Sequence, residues 1–286
     1  MLTYKTLEDT NIELIHSAFI EAFSDYQVKM NLPLEKFKIM LKSRGYCPKF
    51  SVGAFKDGQL IGFILNSVRN WRGKITLYDC GTGVIPEYRK QGITSSMFKE
   101  VLSLLRQKEI EHYLLEVIQS NEPAVNLYKK QGFTITRSLS CFRIEKDLIK
   151  EAPIISSIKY EPYNIELIDW DLFKSFWDFE PSWQHSIDSI MAVSNLFEII
   201  VAQDDGKIVG YGIIDRLTGS IPQLAVHKDY RNKGIGHNIL SRLKESTESK
   251  NIYLINIDDN CISSIEFIKK LGFENYVSQY EMILNI

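Results

Sequence analysis

Residues 84–95 read Val84-Ile85-Pro86-Glu87-Tyr88-Arg89-Lys90-Gln91-Gly92-Ile93-Thr94-Ser95, and residues 224–236 read Leu224-Ala225-Val226-His227-Lys228-Asp229-Tyr230-Arg231-Asn232-Lys233-Gly234-Ile235-Gly236. In both stretches an apolar run enters Tyr-Arg, two polar residues and a glycine, and then a segment with helical spacing. A second echo follows each of them. Tyr128-Lys129-Lys130-Gln131-Gly132-Phe133 answers to Ile268-Lys269-Lys270-Leu271-Gly272-Phe273. Arg89 and Phe133 lie 44 positions apart, Arg231 and Phe273 42. Two signatures that recur in the same order at nearly the same separation mark an internal duplication.

The surrounding pattern repeats as well. Ile12, Ile15, Phe19 and Phe23 have helical spacing, as do Leu34, Phe37, Met40 and Leu41. Apolar runs at Phe50–Phe55 and Leu60–Val68 flank Asp57-Gly58, a hairpin turn signal. Ile75–Ile85 then predicts a strand that ends at Pro86. A helix with Met97, Phe98, Val101, Leu102 and Leu105 on its apolar side comes next, then strand Tyr113–Ile118, helix Pro123–Lys130 and strand Phe133–Ile144. In the second half, Phe197–Ala202 turns at Asp205-Gly206 into Lys207–Asp215, followed by strand Ile221–Val226. A helix from Gly234 to about Glu248, strand Ile252–Ile257, helix Ile262–Lys270 and strand Phe273–Leu284 complete it. Antiparallel hairpins followed by strand–helix–strand units predict an α/β (α+β) fold, each half a mixed, mostly antiparallel sheet flanked by helices. Lys150-Glu151-Ala152-Pro153 reads as the connection, giving domains 1–150 and 151–286.

The 286 residues suffice for two domains with sizeable cores, and 44% apolar with 24% charged residues is a soluble globular mixture. The halves carry balances of +6 and -8, which sum to -2. Without a basic excess, general nucleic-acid binding is not expected. No apolar run approaches the ~20 residues of a membrane-spanning helix. The start, MLTYKTLEDT, has early acids and no apolar h-region, so it does not read as a signal peptide. Cys47, Cys80, Cys141 and Cys261 are widely spaced and form no metal-ligand pattern. A cytoplasmic chain with reduced thiols, no metal and no membrane partner is the expectation.

Glycine at a strand-to-helix turn lets a ligand approach the backbone without interference from a Cβ. Amides in the first helical turn lack intrahelical partners, and the helix dipole favours an anion there. Arg and Lys just upstream add charge-assisted donors. Neither G-x-x-x-x-G-K-[ST] nor a G-x-G-x-x-G opening a βαβ unit occurs, so the nucleotide-binding turns of those types are excluded.

Val84-Ile-Pro-Glu-Tyr-Arg89, Asn121-Glu-Pro-Ala-Val-Asn-Leu-Tyr-Lys-Lys-Gln-Gly-Phe133 and Leu224-Ala-Val-His-Lys-Asp-Tyr-Arg-Asn-Lys-Gly-Ile-Gly236 resemble the motifs of the GNAT superfamily of acyl-CoA-dependent acyltransferases, and the resemblance covers both halves. It implies two tandem GNAT-like domains. It further implies that acetyl-CoA, or another short acyl-CoA, lies in a gap between splayed central strands with its diphosphate on the turn. The residues carried over as cofactor-binding are Val84, Ile85, Arg89, Lys90, Gln91, Gly92, Ile93, Thr94, Ser95 and Asn121, with Leu224, Val226, Arg231, Asn232, Lys233, Gly234, Ile235 and Gly236 in the second half. Thr94 departs from the small residue the family prefers there.

Acyl transfer expels a thiolate, which a positioned phenol can protonate. Tyr128 fits that role, whereas Ile268 in the matching place donates nothing, so the first half is favoured as the catalytic one. An attacking amine also needs a base, and Asp79 and Glu116 are the candidates. Gly81 and Gly83 within a strand pattern predict a bulge whose freed amide would serve an oxyanion. Asp25 and Tyr26, after the first helix, are candidates for contact with an amine acceptor, either a small molecule or a peptide. Two rival readings are catalysis by the second half and acyl-CoA binding without turnover.

Overall fold

The computed structural model describes residues 1–25, 32–105, 109–153 and 155–286. Tyr26 and Ile154 lie outside the described residues. The chain divides into two compact units, Met1–Thr136 with Glu281–Ile286, and Arg137–Tyr280. Lys150–Pro153 lies within the second unit. What separates the units in sequence is instead two long strands, Thr134–Glu145 and Glu274–Asn285, each shared out between them.

In the first unit the order is β1 (Leu2–Thr6), α1 (Ile12–Ala22), α2 (Leu34–Arg44), β2 (Val52–Lys56), β3 (Gln59–Trp71) and β4 (Lys74–Val84). Then come α3 (Ile93–Leu105), β5 (His112–Ile118), α4 (Glu122–Lys130) and the start of β6 (Thr134–Glu145). Strands β1 to β4 are antiparallel neighbours in chain order, and β5 joins β4 in parallel. The chain's last residues join the sheet beside β5, where the Ile286 amide donates to the Glu111 carbonyl at 2.9 Å. Asp57 (φ 50°) and Gly58 (φ 86°) form the predicted hairpin turn between β2 and β3. Phe19, Phe37, Phe63, Met97, Phe98 and Tyr113 are buried where α1, α2 and α3 cover the sheet. Close packing of α1 against β4 depends on Gly83. A Cβ there would stand 2.7 Å from Phe63 Cζ and 3.0 Å from Ala22 Cβ.

The second unit contains the rest of β6, then β7 (Ile158–Pro162), α5 (Trp170–Lys174), α6 (Ile187–Met191), β8 (Phe197–Asp204), β9 (Lys207–Asp215) and β10 (Gln223–Val226). It continues through α7 (Ile235–Leu243), β11 (Asn251–Asp258), α8 (Ile262–Lys270) and the start of β12 (Glu274–Asn285). Strands β7 to β10 form one antiparallel sheet, and β6 pairs antiparallel with β11. Buried Ile235, Ile239, Leu240 and Leu243 of α7 pack on Ile200, Ala202, Val209 and Ile252. Helix α7 ends at Leu243 and runs into the single 3-10 turn Lys244–Ser246, so it is shorter than its sequence pattern predicts. All four cysteines are free. Among the described residues no helix is long and apolar enough to cross a membrane.

Candidate active site

Strands β4 and β5 pair only at Thr76–His112, Leu77–Tyr113 and Tyr78–Leu114, yet β4 continues to Val84 and β5 to Ile118. Beyond Tyr78 the two strands part, which produces the fork expected between central strands. Asp79 is the first residue past the last pair on β4, and Glu116 lies two residues past it on β5.

At the fork β4 carries the predicted bulge. Leu65 faces Gly81 and Asn66 faces Asp79, leaving Cys80 as the extra residue. Two backbone groups at the bulge have side-chain partners. Arg44 Nη1 donates to the Cys80 carbonyl at 2.6 Å, and the Gly81 amide donates to Asp79 Oδ1 at 2.8 Å. The Gly81 amide is therefore taken by a neighbouring carboxylate. Asp79 Oδ2 accepts from Thr82 Oγ1 at 2.6 Å and from the Tyr128 hydroxyl at 3.5 Å. Burial pushes the Asp79 carboxyl up to about 6, while the bonds from Thr82, Gly81 and Tyr128 oppose the rise. Cys80 is buried, and its thiol is pushed up to about 12 by that burial, which suits a small apolar filler better than a nucleophile.

Tyr128 sits on α4, whose N-terminus Asn121 caps by accepting from the Ala124 amide at 3.3 Å. The ring is buried edge-on against Phe98 and Phe133, with centroids 5.8 and 5.7 Å away, and these contacts aim the hydroxyl at Asp79. Glu116 is half-buried and accepts from the Tyr78 hydroxyl at 2.8 Å. Burial, and then the charge of Glu116, raise the Tyr78 phenol well above its ordinary range. The structure thus brings Asp79 and Tyr128 together and gives Glu116 a separate partner. Pattern reading missed Tyr78, Thr82 and Arg44, because nothing in their spacing distinguishes them from ordinary strand and helix residues.

The turn after β4 is built by two left-handed residues, Lys90 (φ 62°) and Gly92 (φ 76°). A Cβ at Gly92 would meet nothing within 4 Å, so glycine is there for its backbone angle and leaves an open surface. The Ser96 amide donates to the Gly92 carbonyl, which is the first intrahelical bond of α3. The amides of Ile93, Thr94 and Ser95 precede it and have no intrahelical acceptor. Val84 and Ile85 are buried, the Ile85 amide donating to Ile61, whereas Lys90 and Gln91 are exposed. The Arg89 guanidinium turns inward to Val84, Ala22 and Asp25, so Asp25 is engaged in an ion pair.

In the second unit the same turn recurs with Asn232 (φ 60°) and Gly234 (φ 85°), and the Asn238 amide donates to Gly234. Gly236, which matches Thr94, faces α8, and a Cβ there would lie 3.1 Å from Phe267 Cζ. The residue matching Phe267 in the first unit is Leu127. Leu224 and Val226 pack on the unit's core. The fork itself differs. The last parallel pair is Ser220–Tyr253, and the next residue is buried Ile221 where the first unit has Asp79. Buried Ile268 replaces Tyr128. The unit's own chain also spans its two strands. Gln223 Nε2 of β10 donates to the His185 carbonyl at 2.9 Å, Asn256 Nδ2 of β11 donates to Ser182 Oγ at 3.1 Å, and Trp183 between them is fully buried.

Two sequence models, the acetyltransferase (GNAT) family and an acetyltransferase (GNAT) domain, match residues 12–133 and 195–275. The chain belongs to the GNAT acetyltransferase family. Over 83 residues it is 34% identical to the streptothricin acetyltransferase of Streptomyces lavendulae, a match covering 29% of this chain and 42% of that protein. Over 93 residues it is 33% identical to the thialysine N-epsilon-acetyltransferase of Bos taurus, covering 32% and 54%. The chain spans about half the length of the curated relatives it matches. Among solved structures, a tandem GNAT protein from the clavulanic acid biosynthesis pathway has a TM-score of 0.76 at 15% identity, covering 100% of this chain and 98% of that one. A GCN5-related N-acetyltransferase from Sphaerobacter thermophilus has a TM-score of 0.74 at 15% identity, covering 99% and 95%. At these identities the likeness is one of fold, the tandem GNAT fold.

Proposed function

We propose that the first unit of this GNAT protein transfers the acetyl group of acetyl-CoA, or another short acyl group, to a primary amine by direct attack in a ternary complex. The observation that carries this reading is the Tyr128–Asp79 contact at the mouth of a fork, one strand of which, β4, leads to a turn whose following amides have no intrahelical acceptor. The residues fit the donor. Ile93, Thr94 and Ser95 present amides at a helix start, with Gly92 leaving them uncovered, and Lys90 and Gln91 stand exposed beside them. Asn121 contributes by capping α4 and so placing Tyr128.

In the transfer the amine lone pair forms the new C–N bond, the C–S bond breaks, and sulfur leaves with the electron pair. Tyr128 gives its phenolic proton to that sulfur. Asp79 takes the proton lost by the amine, through a water, and returns it to Tyr128. One proton then leaves the amine and one arrives on the thiol. A carboxyl near 6 suits a base working close to neutral pH. Glu116 is the alternative base, oriented by Tyr78.

We place the chemistry in the first unit because Ile221 and Ile268 replace the acid–base pair in the second, where Ser182–His185 also bonds to both strands of the fork. The second turn, Arg231–Gly236, retains the backbone for an anion without the catalytic pair. The acceptor belongs to the class of small-molecule or peptide amines, and a cytoplasmic location is part of the same reading. The test is thiol release from acetyl-CoA across a panel of amines, amino acids and peptides. Turnover by the wild type that is lost in Tyr128→Phe supports the assignment. Acetyl-CoA binding without turnover on any amine would leave a binding module instead.

A further inference from the structure

The guanidinium of each turn arginine is committed to the protein in the same way. In the first unit Arg89 Nε donates to the Val84 carbonyl at 3.0 Å and Nη2 to the Ala22 carbonyl at 2.8 Å. Nη1 and Nη2 together grip Asp25, at 2.6 and 2.8 Å. In the second unit Arg231 Nε donates to Val226 at 2.9 Å, Nη2 to Phe176 at 3.1 Å and Nη1 to Asp178 at 2.7 Å. The acceptors correspond: the strand carbonyl five residues upstream, a carbonyl at the end of a helical segment, and an aspartate two or three residues beyond it.

We infer that Arg89 is a positioning residue, which clamps the end of α1 to the end of β4 and thereby sets the amides of the turn, and that its side chain does not touch the diphosphate. Four hydrogen bonds engage the fork of donors, and only arginine can span three such acceptors at once. Asp25 also offsets the guanidinium charge that an anion would otherwise meet. The hydrogen bond and charge of Arg89 hold the Asp25 carboxyl below the usual carboxylate range. Asp25 is therefore part of the clamp and not an amine contact. The duplicate in the second unit, where the catalytic pair is absent, fits a device tied to the shape of the turn. The ligand named here rests on the proposed function; the clamp does not.

Asp25→Asn separates the alternatives, because Asp25 is exposed and asparagine keeps its size while removing its charge. If Arg89 bound the diphosphate directly, removing its competing carboxylate would tighten CoA and steepen the salt dependence of binding. As a clamp, the variant weakens CoA by about three- to tenfold with the salt dependence unchanged. Calorimetric titration with CoA at several NaCl concentrations reads both, and tighter binding overturns the proposal. Hydrogen exchange on ligand-free Arg89→Ala supplies the second measurement. Residues 19–25 and 84–96 should lose protection together, and loss confined to 84–96 also overturns it. Arg89→Lys should behave as Ala does, since one ammonium cannot reach all three acceptors. A wild type that fails to bind CoA would defeat the proposed function, while the exchange result would still decide the clamp.

Discussion

The hydroxyl of Tyr128 and the Oδ2 of Asp79 stand 3.5 Å apart, one reaching down from α4 and the other lying just past the last paired residue of β4. Asp79 has two further donors, the Gly81 amide and the Thr82 hydroxyl, and both hold the bulge. One carboxylate thus fixes the local backbone and faces the candidate acid. In the second unit Ile221 and Ile268 take the two places, so both members of the pair are absent there.

Tyr128→Phe removes one hydroxyl from a ring held by Phe98 and Phe133 and leaves the packing intact. The expected result is a fall in kcat of about 100-fold or more, with little change in melting temperature. Thiol release measured against pH checks it. Turnover equal to the wild type across the range would remove Tyr128 from the mechanism.

Gly92→Glu places a carboxylate and a strained φ at the open side of the turn, where a diphosphate would sit. Acetyl-CoA should then give no thermal shift attributable to the first unit, and turnover should vanish. Gly234→Glu should leave turnover unchanged, since the acid–base pair is absent beside that turn. Melting curves and thiol release on the two variants decide between the units. Activity lost only in Gly234→Glu would move catalysis to the second unit.

The duplication was legible because its signatures are backbone devices. Tyr-Arg-x-x-Gly encodes a left-handed turn, and Lys-Lys-x-Gly-Phe encodes a helix end, so both appear in the letters of the sequence. The bulge at Cys80 was legible for the same reason, through Gly81. The partners of the side chains were not. Arg89 and Asp25 lie 64 positions apart, and no periodicity links them. The membership of the terminal strands was equally hidden, because β6 and β12 both read as apolar-bearing strands and pattern alone does not choose a neighbour. The Asn121 side chain caps α4, a role its position before Glu122-Pro123 also encodes.

Gly83→Ala should destabilise the first unit by about 1–3 kcal/mol, because the new methyl meets Phe63 and Ala22 in a close-packed interior. Gly58→Ala is the control, since its Cβ would meet nothing within 4 Å and only the positive φ opposes it. Denaturant unfolding of the pair separates overpacking from backbone strain. Equal costs would mean that α1 can move away from β4.

Asp79 should also be visible in the pH dependence of stability, with a sign opposite to that of a salt-bridged carboxylate. Its carboxyl is raised from 3.8 to about 6 by burial, so the folded state holds more protons than the unfolded state between those values. Stability contributed at this site is therefore full below about 4 and falls as pH rises to about 6, then stays level. At neutral pH the cost is about 3 kcal/mol at most. Asp79→Asn keeps an oxygen for the Gly81 amide and turns an NH2 donor toward the Thr82 hydroxyl, but it cannot ionise. Relative to the wild type it should gain stability progressively from pH 4 to 6, while losing the base and about 100-fold or more of its turnover. Denaturant melts at a series of pH values, paired with thiol release, check the two halves. A stability difference that does not vary over that range would mean Asp79 titrates at its ordinary value, and the proton relay to Tyr128 would lose its base.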